Sequence, residues 1–164
     1  MARYTESKCR LCRAENTKLY LKGARCYSDK CPINKKRNKP GKHPRYRSRK
    51  MSDYGIQLGV QRKGKRMYGE MGRQFRNFFD KADRMPGKTG DNLISLLERR
   101  LDNIIFRMRF ATSRNQARQM VSHGHVLVNG RKVTIPSYLV RVDDKVEIKE
   151  RSRNLQMIKE SLKE

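Results

Sequence analysis

Residues 113–133 read Ser113-Arg-Asn-Gln-Ala-Arg-Gln-Met-Val-Ser-His-Gly-His-Val-Leu-Val-Asn-Gly-Arg-Lys-Val133, and two structural periods meet within them. Up to Ser122, the apolar residues Ala117, Met120 and Val121 keep helical spacing and share one face. Ser113 with Gln116 three residues on is a capping box, and Gly124 is a helix stop. From Val126 the period becomes two, with Asn129-Gly130 between β-prone runs, the strongest short-range hairpin signal. The stretch predicts a helix that feeds directly into a hairpin, and hence an α+β fold with a small antiparallel sheet.

The polar residues of the same stretch carry chemistry. Arg114 and Arg118 are i, i+4 neighbours with Gln119 one step beyond, His123 and His125 flank Gly124, and Asn129 and Arg131 lie at the hairpin tip. Cations for phosphates, set beside side-chain amides for 2′-hydroxyls, point to structured RNA.

Working outward, Leu93, Leu96, Leu97, Leu101, Ile104, Ile105 and Met108 predict one helix from a cap at Asp91 through Arg109. Met85-Pro-Gly-Lys-Thr-Gly90 breaks the pattern and reads as a linker. Before it, Tyr68, Met71, Phe75, Phe78 and Phe79 form one helical stripe, with Arg73, Arg76 and Lys81 opposite. Residues 52–62 predict a short helix capped by Ser52. Downstream, residues 138–142 and 146–149 predict strands, and Leu155, Ile158 and Leu162 a short terminal helix.

The charge balance names the class of partner. The chain's 164 residues hold 41 Lys and Arg against 16 Asp and Glu, a net +25, with only 35% hydrophobic residues. Such an excess destabilises a compact state unless a polyanion neutralises it, and nucleic acid is the leading one. Residues 1–50 carry +14 of the excess, residues 51–90 +5 and residues 91–164 +6. Residues 32–50 hold nine cations, three prolines and no acid, which predicts an extended segment that orders along phosphates. No apolar run reaches the ~18 residues of a membrane span, and the first residues lack a secretory signal's apolar stretch, so a cytoplasmic protein is expected.

All four cysteines fall in the first 31 residues, as Cys9-x2-Cys12-x13-Cys26-x4-Cys31. In a reducing compartment these pairs match structural zinc spacing better than a disulfide framework. An iron–sulfur cluster and free thiols are the alternatives. Lys8, Arg10, Arg13, Lys22, Arg25 and Lys30 surround the site. A closed thiolate set leaves no coordination position for catalysis, so one structural Zn2+ is expected, with folding of the arm coupled to it.

Enzyme readings find little support. Ala82-x4-Gly87-Lys88-Thr89 matches a permissive phosphate-loop pattern, but it follows an aromatic helix where such a loop needs a buried strand. His43, His123 and His125 suggest no triad. A zinc-dependent DNA binder would need a helix for the major groove, whereas the best basic helix here leads into a hairpin.

Residues 113–133, with Leu97-Glu-Arg-Arg-Leu-Asp-Asn103 before them, resemble the alpha-L RNA-binding motif. The cysteine pattern, Tyr20-Leu-Lys-Gly-Ala-Arg-Cys26, Ser52-Asp-Tyr54, Tyr68-Gly69 and Arg73-Gln-Phe-Arg-Asn-Phe-Phe79 extend the likeness over the whole chain. Together they resemble the bacterial small-subunit ribosomal protein S-four family, in its four-cysteine, zinc-binding form. That resemblance implies a zinc-bearing arm and helical domain, followed by an alpha-L domain of two helices packed on a small antiparallel sheet. It implies a non-enzymatic, ribosome-bound protein that binds 16S ribosomal RNA of the small (30S) subunit at a multi-helix junction, nucleates assembly of the 5′ domain and contributes to decoding accuracy. Its implied partners are that RNA, ribosomal protein S-five and other small-subunit proteins, with no membrane and no small-molecule substrate. Some members repress their own messenger RNA, and members usually continue several dozen residues beyond the position of Glu164. A stand-alone alpha-L protein acting on ribosomal or transfer RNA is the alternative.

The expected organisation is a zinc-binding basic arm over 1–50, the helical part of the first domain over 51–90 and the alpha-L domain over 91–164. The expected metal ligands are Cys9, Cys12, Cys26 and Cys31. The expected RNA contacts of the first domain are Arg3, Lys8, Arg10, Arg13, Lys22, Lys30, Lys35, Lys36, Arg37, Arg45, Arg47, Arg49, Lys50, Arg66, Arg73 and Arg76. Those of the alpha-L domain are Arg114, Gln116, Arg118, Gln119, His123, His125, Asn129 and Arg131.

Overall fold

A computed structural model describes residues 3–41, 50 and 52–163. The fold is α+β, and the chain divides between Gly72 and Arg73 into two compact units. Compactness and charge divide the chain at different places, because they measure different properties.

In the first unit, helix α1 (Lys8–Glu15) ends on Asn16, which takes the left-handed conformation at φ 53°. A short 3-10 helix follows at Gly23–Cys26. Its core is small: Cys12, Leu19 and Leu21 are buried, with Leu11, Ile33 and Met67 packed against them. Residues 32–36 form turns, with the Arg37 amide donating to the Pro32 carbonyl at 3.1 Å. The expected extended conformation therefore does not hold at the start of the proline-rich segment, and residues 42–49 lie outside the described residues.

Helix α2 spans Asp53–Tyr68, six residues beyond the predicted end, and the Ser52 hydroxyl caps it by accepting from the Gly55 amide at 3.3 Å. None of its sixteen residues is buried. It is tied at its far end, where Arg66 pairs with Glu15 of α1 and Met67 meets the small core. Gly69, at φ 71°, ends it. This left-handed stop divides the predicted aromatic stripe, because α3 starts only at Gly72 and runs to Asp83. Tyr68 and Met71 fall outside α3, whose buried residues are Phe75 and Ala82.

In the second unit, the single helix expected from Asp91 to Arg109 is two, α4 (Thr89–Glu98) and α5 (Leu101–Arg107). Lys88, not Asp91, is the residue before the first turn. The interruption at Arg99 and Arg100 has a tertiary cause. Arg100 is extended and bridges to Leu139, with the Leu101 amide donating to the Tyr138 carbonyl at 2.8 Å and the Val140 amide to the Arg99 carbonyl at 2.9 Å. That single bridge is all that forms of the strand expected over residues 138–142. The Arg100 guanidinium is buried and binds Asp102 through both carboxylate oxygens, at 3.1 and 2.7 Å.

Helix α6 (Arg114–Ser122) starts at Ser113, whose hydroxyl accepts from the Gln116 amide, and runs into the hairpin of β1 (Val126–Val128) and β2 (Arg131–Lys132). Asn129 and Gly130 have φ of 51° and 76°, so both central residues are left-handed, as the twist of a two-residue hairpin requires. β3 (Val146–Ile148) lies on the other edge, giving the antiparallel order β2-β1-β3. The expected terminal helix forms as α8 (Gln156–Lys163), and an additional short turn of helix, α7 (Glu150–Arg153), precedes it. The core joins Leu101 and Ile105 of α5, Ala117, Met120 and Val121 of α6, Val126 and Val128 of β1, Ile148 of β3 and Ile158 of α8.

Candidate nucleic-acid interface

Helix α6 packs Ala117, Met120 and Val121 inward, which fixes the rotation of its polar residues. Arg114 lies in the first turn. Its guanidinium sits over the Phe106 ring, 4.5 Å from the centroid, and its Nε donates to Asn103 Oδ1 at 2.8 Å. Asn103 is itself held, since its amide nitrogen donates to Glu98 Oε2 at 2.6 Å, and Glu98 takes both nitrogens of Arg107 at 3.0 and 2.6 Å. The half-buried Arg114 side chain is therefore pre-positioned by four residues of α4 and α5.

The other predicted contacts of this unit separate into two groups. Gln119, His123 and Arg131 are exposed as expected. Gln116 is not turned outward, because its Oε1 accepts from both the amide and the hydroxyl of Thr112, each at 2.8 Å. Arg118 does not share an outer face with Arg114: it is buried, with 9% exposure. An i, i+4 pair brackets a stripe of the helix, and here the core takes one member. Asn129 spends its amide within the fold, with Oδ1 accepting from the Lys145 amide and Nδ2 donating to Asp144, each at 2.8 Å. The Arg141 amide and Asn129 hold the Asp144 carboxyl below its ordinary range. His125 is half-buried, its Nδ1 2.9 Å from the Ser152 hydroxyl.

Sequence reasoning passed over two participants. Lys132 crosses the end of α6 so closely that a Cβ at Gly124 would lie 2.1 Å from its Cε and 2.9 Å from its Nζ, which places its ammonium beside Gly124. Phe106 is the platform of Arg114. The place of Lys132 beside Arg131 on the short, exposed β2 strand signals the first; the second depends on the α5–α6 crossing and has no local signal.

In the first unit Arg3, Arg10, Lys22, Lys30, Lys35, Lys36, Arg37 and Lys50 are exposed, and in the second unit so are Arg73 and Arg76 on α3. Four predicted contacts are engaged internally: Lys8 donates to the Tyr4 carbonyl at 2.6 Å, Arg10 to Glu6 Oε2 at 3.4 Å, Arg13 to the Asn38 carbonyl at 3.2 Å, and Arg66 pairs with Glu15. Arg45, Arg47 and Arg49 lie outside the described residues.

None of the four cysteines forms a disulfide; Cys12, Cys26 and Cys31 are buried and Cys9 is half-buried. Burial pushes the Cys12 thiol up, the Leu19 amide pulls it down, and the charges of Cys26, Cys9 and Cys31 each push it up again. Cys12 thus lies within reach of the charges of the other three cysteines. The Lys22 amide donates to the Cys26 sulfur at 3.3 Å. Among the described residues, no three His, Cys, Asp or Glu side chains form a closed group that could hold a metal ion. Among the same residues, no helix is long and apolar enough to cross a membrane.

Two family profiles match in series. Residues 3–98 match the ribosomal protein S4/S9 N-terminal domain and residues 99–146 the S4 domain, the boundary falling where α4 ends. The small ribosomal subunit protein uS4 of Thermodesulfovibrio yellowstonii is 57% identical over 99% of this chain and 77% of its own length. The uS4 proteins of Trichlorobacter lovleyi and Halothermothrix orenii are each 56% identical, over 99% and 98% of this chain and 77% and 76% of their own lengths. With both profiles matched in order and relatives of this identity covering nearly every residue, the chain belongs to the uS4 family of small ribosomal subunit proteins.

Proposed function

We propose that the chain is a structural, non-enzymatic component of the small ribosomal subunit that binds 16S ribosomal RNA early and helps nucleate assembly of the 5′ domain. The observation that carries the reading is the joining of α6 to the hairpin, with Arg114 stacked and pre-positioned at one end and Lys132 beside Gly124 at the other, in a chain that matches uS4 along its length. Phosphate contacts from the exposed cations supply affinity, with a salt slope near −0.9 log units per neutralised phosphate on a duplex. Selectivity comes from RNA shape, because the A-form major groove is too narrow for side chains to read. A contribution to translational accuracy, through ribosomal protein S-five, belongs to the same proposal, as does a ribosome-bound place in the cytoplasm.

Footprinting on isolated small-subunit RNA, against duplex DNA of equal length, tests the reading. Protection confined to folded RNA at physiological salt is expected, and equal affinity for the two would overturn it.

We further propose that Cys9, Cys12, Cys26 and Cys31 hold one structural Zn2+. Three of them are buried, and at Cys12 burial and the charges of Cys26, Cys9 and Cys31 all disfavour the thiolate, a penalty that a divalent cation would relieve as it displaces the thiol protons. The small apolar core of the first unit, three buried residues, leaves folding there in need of such a staple. Native mass spectrometry before and after chelation, with circular dichroism, tests the assignment. Loss of one zinc mass together with helix signal is expected; an unchanged spectrum after the metal is removed would refute the structural role.

A further inference from the structure

We propose that Tyr20 and Tyr27 form a platform on which one unpaired base of the bound RNA stacks, resting on the RNA-binding reading above. The chain around them alternates sharply. Leu19, Leu21 and Cys26 are 1%, 7% and 8% exposed, while Tyr20 is 43% and Tyr27 73% exposed. Two large rings thus face solvent within a unit whose apolar core is poor.

The backbone is bent to place them there. Tyr20 adopts φ 50°, a left-handed conformation that a bulky residue rarely takes and that costs stability. Gly23 follows at φ 56° and the 3-10 helix Gly23–Cys26 closes the reversal. The outcome is a ring pair with centroids 5.2 Å apart and planes inclined by 34°. Simple burial of apolar area does not explain such strain, since both rings stay in water.

The surroundings name the occupant. Exposed Lys22 and Arg25 lie between the two tyrosines in sequence and exposed Lys30 three residues after Tyr27, and Asp29 is the one acid among residues 16–50. An apolar protein partner would meet a cationic rim, whereas a nucleic acid brings phosphates for the rim and a base for the rings. Stacking on exposed aromatics demands a base that is free of its helix, so the site selects an unpaired or looped-out nucleotide. The chain holds no tryptophan, so stacking here falls to tyrosine.

The full chain, bound to small-subunit RNA, provides the test. Tyr27→Ala is expected to weaken binding about 5- to 150-fold, the range for losing one stacked base. Tyr27→Phe should stay within about 2-fold of the parent, and neither change should alter the salt slope, because no phosphate contact is removed. Ultraviolet crosslinking of the unsubstituted protein should attach the peptide bearing Tyr27 to a single-stranded nucleotide. That experiment decides the matter even if Tyr27→Ala folds poorly. Equal binding by Tyr27→Ala, an equally large loss in Tyr27→Phe, or crosslinks to paired nucleotides only would each overturn the platform. If the unsubstituted chain shows no preference for the RNA, the functional reading itself fails; if it binds selectively and Tyr27→Ala does too, only the platform fails.

Discussion

Replacing Phe106 by Leu removes the surface on which Arg114 rests while leaving the cation and most of the apolar volume in place. The guanidinium lies 4.5 Å from the ring centroid, well inside the ~6 Å range of cation–π attraction. With the ring gone, Arg114 keeps its bond to Asn103 but loses one wall of its position. Ordering a rotamer-rich side chain on binding costs about 0.5–1.5 kcal/mol. Phe106→Leu should therefore weaken RNA binding about 2- to 13-fold, at 1.36 kcal/mol per tenfold. Arg114→Ala should do more and flatten the salt slope by about 0.9 log units on a duplex, because it deletes a phosphate contact; Phe106→Leu should leave the slope alone. A double-mutant cycle, read by filter binding at several salt concentrations, separates the two effects. In the Arg114→Ala background, Phe106→Leu should cost nothing further. The same loss in both backgrounds would show that Phe106 acts on the fold at large, and a slope change in Phe106→Leu would show that the arginine has left the phosphate altogether. Thermal melts guard the comparison, since losing three side-chain carbons at this partly buried site should cost about 1–2 kcal/mol.

Asp102→Ala removes a carboxylate that binds the buried Arg100 guanidinium, 1% exposed, through both oxygens, and should destabilise the second unit by up to about 3–5 kcal/mol in urea melts; Arg100→Met with Asp102→Ala should recover part of that loss, and no recovery would mean the geometry of the break matters more than the charge. Gly124→Ala forces a side chain into φ 75° and pushes the Lys132 tip aside, costing about 1–2 kcal/mol from the backbone conformation, while Lys132→Ala in that background should relieve only the clash; stability measured for the pair checks this. The Asp144 carboxyl titrates below its ordinary value near 3.8, so the clip it makes with Arg141 and Asn129 is at full strength above that value and is lost as pH falls through the lower folded-state value. Carbon-13 carboxyl shifts of Asp144 followed from pH 6 to 2 should show the depressed midpoint, and Asn129→Ala should raise it.

What was legible in the sequence was local. The Ser113 cap, the Gly124 stop and the Asn129-Gly130 turn each act within a few residues, and the structure forms all three. Ser52 likewise caps α2. Periodicity failed where a distant segment changed the local choice. Residues 91–109 have a continuous apolar pattern, yet the pairing of Arg99 to Leu101 with residues 138–140 and the burial of the Arg100–Asp102 pair outweigh one more helical turn. At Gly69 the miss was chemical: a glycine between Tyr68 and Met71 is a stop, and the aromatic spacing obscured it. For the interface, residue type indicated a basic surface but not which member of a pair the core would take. Arg118 is buried and Asn129 is bonded within the fold for reasons set by α5, β3 and the 143–145 turn, none adjacent in sequence. Family membership and the two-part match follow the resemblance carried by the same motifs.

Helix α2 has sixteen residues, no buried side chain, and three interior glycines at 55, 59 and 64 that each cost about 1 kcal/mol relative to alanine. Isolated helices of this length are marginal in water even with favourable composition. Its helical state is thus held chiefly at the ends, by the Ser52 cap and by Arg66 and Met67, and the stretch between behaves as a low-stability cooperative segment that opens while the rest of its unit stays shut. Such a segment acts as a conformational reservoir. In the free protein it holds chain entropy, and any surface that covers it must absorb the ordering term, so affinity for that surface falls more steeply with temperature than affinity for the pre-positioned α6 end.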